Sequence, residues 1–574
     1  MNEKNQGMRR KLTDYGDAEF SLYLRKAFIK AMGFTDDALS RPVIGIANTF
    51  SSYNACHATV PQIVEAIKRG VMLAGGLPMD FPTISLHESF SYPTSMYLRN
   101  LMSMDTEEMM RALPMDACIV IGGCDKTVPA QLMAAASADI PTIVVVTGPM
   151  LSGSHQGERI CACTDCRRFW ASYRAEQIDA REIEAVTDRL VTSAGTCGVM
   201  GTASTMACMT EAMGMMLPGG ATIPAVHADR LRHAEQAGAR AMSLASEGLA
   251  PSRIMTEKSL ANSLRVLLAI GGSTNGLLHL AAIAGRVGIQ IDMEAFDAMG
   301  SETPVLIDLK PTGSAYMDDL HAAGGMATIM RELKPLLHLD CVTVTGRTLG
   351  EEIDALPPAF EQNVVRPLSN PIHTGGGIVF LKGNLSGDGA IIKQSACSEE
   401  LLVHKGRAVV FDSLDDLAAR IDDPDLDVAA NDVLVLRNAG PKGAPGMPEA
   451  GYIPIPKKLA KQGVKDMVRI SDCRMSGTAF GTIVLHATPE AAAGGPLALV
   501  QNGDEISLDV PARRLSLEIS EKELQHRRDA WAPPDEPEVR RGYQKLFFDH
   551  VTQADEGCDF DFSINRPYVG RTPV

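Results

Sequence analysis

Three cysteines lie in loops rich in glycine or serine, each just before a predicted helix. They are Cys56 in SSYNACHATVP, Cys124 in IGGCDKTVP and Cys197 in AGTCGVMGTASTM. They are far apart along the chain, so any common site must be assembled by the fold. Thiolates are soft metal ligands and are stabilised near helix N-termini, so three converging cysteines suit an iron-sulfur cluster with one coordination position left open. The alternative is three unrelated buried thiols.

A second group of cysteines lies within one short segment. Cys161, Cys163 and Cys166 have the C-x-C-x-x-C spacing that is typical of a local metal knuckle. No further Cys or His follows closely, and the neighbouring Asp165 and Arg167 favour a polar surface loop. Two interpretations therefore stand: a structural zinc site, or a loop on the substrate side of the active site.

Carboxylates form a further set of candidate ligands. Glu88 follows a strand-like run, and Glu449 lies in the loop GPKGAPGMPEAG. Asp125 and Lys126 come directly after Cys124. Hard oxygen ligands from separate loops are what Mg²⁺ requires, although most loop glutamates are simply solvated. The fragment GGCDKT lacks the G-x-x-x-x-G-K-[ST] spacing of a phosphate loop, which excludes a nucleotide site there.

The segment VRISDCRMSGTAFG places Ser476 in a tight, glycine-containing turn between two apolar runs. A serine in such a turn either only forms the turn or acts as a nucleophile or base. The G-x-S-x-G elbow is absent, so a serine hydrolase is poorly supported.

The composition restricts the class of protein and its partners. A hydrophobic fraction of 45% and a charged fraction of 22% are those of an ordinary globular protein. A net charge of -16 repels polyanions and argues against a nucleic-acid or anionic-membrane partner. The polar N-terminal stretch lacks the apolar run of a secretory signal, and the longest apolar runs are too short to cross a bilayer. We therefore expect a cytoplasmic protein that acts on a small molecule.

Apolar runs and amphipathic stretches alternate through the first two thirds of the chain, which predicts an α/β domain with a mainly parallel sheet. The pattern predicts strands over 43–46, 82–86, 117–121 and 140–146, and helices over 61–73 and 129–136. The stretch 264–284, interrupted by Gly271, Gly272 and Ser273, fits either a helix-loop-helix or a strand-loop-helix.

A shift to Pro, Ser, Asn and Gly around 366–377 marks the predicted domain boundary. Residues 1–370 form the predicted α/β domain, and residues 371–535 form a β-rich, barrel-like domain of the α+β type that carries Ser476. Its predicted strands cover 378–381, 408–411, 433–436, 483–486 and 497–500. The aromatic tail over 536–574, with Tyr543, Phe547, Phe548 and Tyr568, is expected to pack on the body or on a neighbouring subunit.

Taken together, these motifs resemble one family, the dihydroxy-acid and sugar-acid dehydratases that include phosphogluconate dehydratase. The segment CDKTVPAQLMA matches the family signature C-D-K-x-x-P-[GA]-x-x-x-[GA] at every position. SDCRMSGT resembles the second signature, with Cys473 where glycine or alanine is usual. AIGGSTNGLLHLAAIAG, KGNLSGDGAIIKQ and GPKGAPGMPEAG support the likeness, which runs from about Arg41 to Arg527.

The resemblance implies a set of roles that the residue pattern alone leaves open. Cys56, Cys124 and Cys197 would hold a 2Fe-2S cluster rather than a 4Fe-4S cluster. Mg²⁺ would be held by oxygen ligands of four residues: Glu88, Asp125, Glu449 and a carbamylated Lys126. Ser476, as an alkoxide, would be the catalytic base, and Thr478 in the same turn would bind substrate. Cys473 neighbours the base and leaves its role intact.

Within the family, ACTDCRRFW and the C-terminal RPYVGRTPV are similar to the pentonate and hexonate dehydratases. The resemblance therefore implies a hydro-lyase that converts an aldonic acid such as arabinonate, xylonate, fuconate or galactonate to its 2-keto-3-deoxy acid, in a homodimer or homotetramer. A dihydroxy-acid dehydratase of branched-chain amino-acid synthesis is the alternative within the family. A zinc or thiol protein, using the C-x-C-x-x-C segment as its metal site, is the alternative outside it.

Overall fold

A four-stranded sheet lies at the centre of the N-terminal domain in the computed structural model, which describes residues 6–534 and 541–565. Its strand order is β2-β1-β3-β4, and every pairing is parallel. The strands are β1 (Val43–Asn48), β2 (Leu77–Pro82), β3 (Ala117–Gly122) and β4 (Thr142–Val146). Strands β3 and β4 are buried along their whole length, as is usual for parallel strands with both faces covered.

Helices surround this sheet. They are α1 (Ala18–Lys30), α2 (Asp36–Leu39), α3 (Val60–Leu73), α4 (Ser95–Ala112), α5 (Thr127–Ala138), α6 (Thr164–Arg174), α7 (Ala180–Leu190), α8 (Thr202–Ala212), α9 (Ala228–Glu247), α10 (Pro251–Ile254), α11 (Glu257–Ala269), α12 (Thr274–Arg286), α13 (Met293–Glu302), α14 (Met317–Ala322), α15 (Gly325–Leu333) and α16 (Leu349–Asp354). Helix α5 is buried over nearly its whole length, because it packs between the sheet and the helices α4 and α12. A hairpin of β5 (Gly153–His155) and β6 (Glu158–Ile160) leads into α6.

The C-terminal domain is a closed eight-stranded barrel with strand order β10-β11-β12-β8-β7-β14-β13-β9. Its strands are β7 (Val379–Gly383), β8 (Ser386–Ile392), β9 (Val403–Phe411), β10 (Val433–Leu436), β11 (Arg469–Ser471), β12 (Ile483–Thr488), β13 (Glu505–Asp509) and β14 (Arg514–Leu517). The barrel is mixed: β9 to β12 pair in parallel, and β12 pairs with β8 in antiparallel. The helices that follow or interrupt it are α17 (Leu414–Arg420), α18 (Lys457–Lys461), α19 (Glu521–Ala530) and α20 (Gly542–His550).

After the barrel, the chain returns to the N-terminal domain. Nη2 of Arg99 donates hydrogen bonds to the carbonyl oxygens of Gly557 and Cys558 at 2.8 and 3.0 Å. Nε of Arg286 lies 2.5 Å from Oδ2 of Asp559, and both side chains are buried. Residues from the far end of the described chain therefore complete the packing around α4 and α12.

Aromatic side chains of the predicted tail contact the same region. The hydroxyl of Tyr543 donates to the carbonyl oxygen of Tyr97 at 2.6 Å, and the buried Phe547 ring packs 4.8 Å from the Tyr97 ring. Phe548 contacts Phe547 edge-on. Tyr568 lies outside the described residues.

The sheet and the barrel confirm the predicted fold class, and α11 and α12 show that 264–284 is a helix-loop-helix. Two element predictions are wrong. The strand predicted over 82–86 is a loop beyond Pro82, because the neighbouring strand β1 ends at Asn48, the residue that pairs with Pro82. The apolar stretch 497–500 lies in a 3₁₀ turn, Pro496–Leu499, since Pro496 starts a helical turn readily. Among the described helices, none is long and apolar enough to cross a membrane.

Candidate active site

The loops that carry the three predicted cysteine ligands meet at the carboxyl edge of the parallel sheet. Cys56 lies in a 3₁₀ turn between β1 and α3. Cys124 lies between β3, the strand that pairs with β1, and α5. Thr196 forms an isolated parallel bridge with Pro149, just beyond β4, and this bridge brings Cys197 to the same edge. Ligands commonly bind at this edge of an open α/β sheet.

The cysteine sulfurs are arranged in two pairs. Sγ of Cys56, Sγ of Cys124 and a ring nitrogen of His87 all lie within 4.8 Å of one another. Sγ of Cys197 lies 3.2 Å from Sγ of Cys163, and the N–H of Gly195, two residues before Cys197, donates to the carbonyl oxygen of Ala55, next to Cys56, at 3.5 Å. The fold therefore brings Cys56, Cys124 and Cys197 to one region, with Cys163 as an additional sulfur.

Hydrogen bonds between these thiols lower the pKa of one member of each pair and raise that of the other. A hydrogen bond from Cys124, together with the neighbouring His87, lowers the pKa of Cys56 to about 7, although burial opposes them. The same hydrogen bond and burial raise the pKa of Cys124. Hydrogen bonds from Cys166 and Cys197 hold the pKa of Cys163 well below its usual range. Each pair thus contains one thiol that ionises readily, which is the form that binds metals.

Three carboxylates form the second group of ligands. Oxygen atoms of Glu88, Asp125 and Glu449 lie within 4.8 Å of one another. Glu88 is in the loop after β2, Asp125 follows β3, and Glu449 comes from the long loop after β10 in the barrel. The group therefore lies between the two domains.

Two buried cations hold the carboxylates together. Nζ of Lys126 lies 2.5 Å from Oδ2 of Asp125, 3.3 Å from Oε2 of Glu88 and 3.7 Å from Oε1 of Glu449. The guanidinium of Arg474 contacts Glu449 and donates to Oε1 of Glu88 at 3.2 Å. Burial and Arg474 lower the pKa of Lys126, but the three carboxylates outweigh them and raise it above its ordinary value. A positive charge is therefore favoured among these oxygens.

Ser476 and Thr478 share the turn between β11 and β12. Their hydroxyl oxygens are 2.8 Å apart, and the N–H of Thr478 approaches Oγ of Ser476 at 3.4 Å. The turn lies against the N-terminal domain at Gly477, where an added Cβ would be 2.5 Å from Cβ of Ser273. Nδ2 of Asn275 donates to the carbonyl oxygen of Met475 at 3.1 Å and to Glu449 at 3.3 Å. Asn275 thereby joins the serine turn to the carboxylate group.

Comparison with known proteins assigns nearly the whole chain to one family. Residues 41–352 match the family described as dihydroxy-acid/6-phosphogluconate dehydratase N-terminal, and residues 363–558 match its C-terminal counterpart. The chain belongs to the dihydroxy-acid/6-phosphogluconate dehydratase family.

Several named dehydratases are similar over almost their full length. A 6-deoxy-6-sulfo-D-gluconate dehydratase from Pseudomonas putida is 45% identical over 94% of this chain and 93% of its own. An L-arabonate dehydratase from Azospirillum brasilense is 46% identical over 96% of both chains. A dihydroxy-acid dehydratase from Acetivibrio thermocellus is 40% identical over 93% of this chain and 96% of its own.

The C-x-C-x-x-C segment of this dehydratase family member lies against the site. Cys161 is fully buried beside Gly198, where a Cβ would be 2.5 Å from its Sγ, and burial raises its pKa to about 12. Within the described part of the chain, Cys161, Cys163 and Cys166 do not bring their sulfurs within 4.8 Å of one another as a group, which gives no support to a local zinc knuckle. Oγ1 of Thr164 donates to the carbonyl oxygen of Thr478 at 3.1 Å, so this segment contacts the serine turn.

Sequence reasoning missed several residues that the structure places in the site. They are His87 beside Cys56, Arg474 among the carboxylates and Asn275 beside Glu449. Cys163, which lies beside Cys197, belongs to the segment predicted from the sequence to be a zinc site or a substrate-side loop. Arg474 and Asn275 lie inside the motifs SDCRMSGT and AIGGSTNG, and His87 directly precedes Glu88. Their position within or beside these motifs was the available signal.

Proposed function

We propose that this chain is a hydro-lyase that converts an aldonic acid to its 2-keto-3-deoxy acid with release of water. The adjacency of the two ligand groups carries the proposal. Sγ of Cys124 lies 3.3 Å from Oδ1 of Asp125, so a soft sulfur ligand and a hard oxygen ligand come from neighbouring residues. A substrate with oxygen atoms on neighbouring carbons can contact both groups at once.

The donor sets suit the metals that the family resemblance implies. Cys56, Cys124 and Cys197 would hold a 2Fe-2S cluster, and Glu88, Asp125, Glu449 and a carbamylated Lys126 would hold Mg²⁺. When bound, these groups would supply Lewis acidity, the magnesium ion to the carboxylate and 2-hydroxyl and the cluster to the departing 3-hydroxyl.

The charge of the carboxylate group supports a divalent cation. Three carboxylates with the ammonium of Lys126 and the guanidinium of Arg474 carry one net negative charge. Replacing the ammonium by a carbamate and adding a divalent cation leaves that net charge unchanged. The buried site can therefore accept the metal without a change in its overall charge.

Ser476 would remove the proton from C2 of the substrate. A free serine hydroxyl is too weakly acidic for this role, so its alkoxide needs stabilisation. The Thr478 hydroxyl and backbone N–H approach Oγ of Ser476 and would donate to it. Asn275 holds the carbonyl oxygen of Met475 and fixes the turn, so that Oγ keeps its position.

The choice of a sugar acid is supported by the relatives. Proteins named for arabonate and sulfogluconate share 45 to 46% identity with this chain, against 40% for the dihydroxy-acid dehydratase cited above. Arabinonate, xylonate, fuconate and galactonate are the first substrates to test. We further propose a homodimer or homotetramer.

Anaerobic purification followed by iron and sulfide assay tests the cofactors, and a panel of aldonic acids with 2,3-dihydroxyisovalerate tests the substrate. We expect iron and sulfide, 2-keto-3-deoxy product from at least one aldonic acid, and slower turnover of the dihydroxy acid. Cys124→Ser should lose the visible absorbance, and Cys397→Ser, in the barrel, is the matched control. Zinc without iron in the native protein would refute the cluster. Turnover of the dihydroxy acid alone would refute the substrate class.

A further inference from the structure

Four cysteine sulfurs, rather than three, surround the proposed cluster position. Cys56 and Cys124 form one close pair, and Cys163 and Cys197 form the other, with Sγ atoms 3.2 Å apart. The N–H of Gly195, two residues before Cys197, donates to the carbonyl oxygen of Ala55, next to Cys56, at 3.5 Å, so the loops that carry the two pairs adjoin. Two pairs of thiolates are the ligand set of a 2Fe-2S cluster bound by four cysteines.

The separation within the second pair suits two ligands of one metal ion. Two thiolates bound to one tetrahedral ion at about 2.3 Å lie roughly 3.7 Å apart. The observed 3.2 Å between Cys163 and Cys197 needs only a small adjustment to reach this value. Both side chains are partly exposed, which leaves room for that movement.

The position of Cys163 also favours a thiolate. It precedes Thr164, the first residue of the eleven-residue helix α6, so its sulfur lies near the positive end of the helix dipole. The Arg167 guanidinium, one turn along α6, adds a positive charge nearby. Cys161 differs, since its side chain is fully buried beside Gly198.

We propose that Cys163 is a fourth sulfur ligand of the cluster when no substrate is present, bound to the same iron as Cys197. This inference rests on the proposed function. On coordination the thiol of Cys163 releases its proton to solvent. On substrate binding the Cys163 sulfur would leave that iron and take up a proton from solvent, and the substrate 3-hydroxyl would fill the vacated position. The hydrogen bond from Thr164 to Thr478 places this exchange beside the serine turn.

Mössbauer spectroscopy of the ⁵⁷Fe-loaded full-length protein, purified anaerobically without substrate, tests the proposal. We expect both irons of the native protein to have an all-sulfur environment. In Cys163→Ala, one iron should show the higher isomer shift of a mixed sulfur and oxygen environment, and a chelator should remove iron about tenfold faster. Adding L-arabonate to the native protein should move its spectrum towards that of Cys163→Ala. Cys166→Ala, with the neighbouring thiol removed, is the matched control and should retain the native spectrum.

The outcomes separate this inference from the proposed function. A native protein that already has one mixed-ligand iron without substrate would overturn the role of Cys163 and leave the dehydratase proposal standing. A Cys163→Ala spectrum identical to the native one would do the same. Absence of iron from the native protein would overturn both. If Cys163→Ala does not fold, as shown by circular dichroism, the native spectrum alone decides.

Discussion

Nη2 of Arg474 lies 3.2 Å from Oε1 of Glu88, and the two residues belong to different domains. Arg474 follows β11 of the barrel, whereas Glu88 follows β2 of the parallel sheet. The same guanidinium contacts Glu449, and it is fully buried. This cation therefore joins the domains through the carboxylate group that is proposed to bind magnesium.

Replacing this cation should destabilise the metal-free protein. Arg474→Met removes a buried positive charge from Glu88 and Glu449. Removing one partner of a buried ion pair lowers the free energy of unfolding by about 3 to 5 kcal/mol. Arg474→Lys keeps the charge but not the forked geometry, so its melting temperature should lie between those of Arg474→Met and the native protein. Differential scanning calorimetry measures the shift. Lys405→Met, which removes an exposed ion pair with Glu505, is the control and should change little. Equal shifts in Arg474→Met and Lys405→Met would contradict the structural role of Arg474.

Ser476→Ala tests the catalytic base. Removing the hydroxyl should reduce kcat by about 10² to 10⁴, the range usual for general bases, while the iron content and melting temperature stay native. Steady-state assays with the best aldonic acid and visible absorbance measure these quantities. Ser252→Ala, which removes an exposed hydroxyl that donates a hydrogen bond to Asp139, serves as the control. A near-native kcat for Ser476→Ala would remove this serine from the mechanism.

Gly477→Ala tests the close approach of the serine turn to the N-terminal domain. The added methyl would lie 2.5 Å from Cβ of Ser273 and 2.9 Å from N of Thr202, so the turn must move. Since small displacements at a reacting centre cost about 10²-fold in rate, we expect kcat to fall by about that factor. Gly387→Ala, where nothing lies within 4 Å, is the matched control. Unchanged kinetics in Gly477→Ala would show that the turn is not held so closely.

His233 should contribute to acid sensitivity. Burial and the nearby Arg230 lower its pKa from 6.5 to about 4, against a hydrogen bond with the Leu217 carbonyl. As the pH falls, His233 therefore takes up a proton in the unfolded chain before it does so in the folded protein. The stability that neutral His233 contributes is fully present above pH 6.5 and decreases towards pH 4. The loss approaches about 3 kcal/mol, at 1.36 kcal/mol per pKa unit.

The melting temperatures of the native protein and of His233→Gln between pH 7 and 4.5 check this expectation. The variant should lose less stability over that interval than the native protein. His404→Gln, on the barrel surface, controls for replacing an imidazole by an amide. Parallel pH profiles for the native protein and His233→Gln would contradict the assignment.

Local patterns were sufficient to predict the fold class and several strands. The apolar runs that became β1, β3, β4 and β10 are buried strands, and such runs are recognisable without knowledge of their neighbours. The closure of the barrel was not visible, because it depends on the parallel pairing of Arg514 in β14 with Lys382 in β7. That pairing joins segments that are far apart in the chain.

The site was predictable to a similar extent. Glu88, Asp125 and Glu449 do come together, and Cys56 lies beside Cys124. The pairing of Cys197 with Cys163 could not be predicted, since it depends on the packing of two loops joined by the bridge between Pro149 and Thr196. The burial of the Arg474 charge likewise depends on contacts between domains.

The ion pair of Arg286 with Asp559 has a consequence for biosynthesis. Arg286 lies on α12, which packs against α5, the helix after Cys124, whereas Asp559 is translated after the whole barrel. During synthesis on the ribosome, Arg286 has no contact with Asp559 until the last part of the polypeptide emerges. Nascent chains halted before residue 559 would therefore lack the buried carboxylate partner of Arg286.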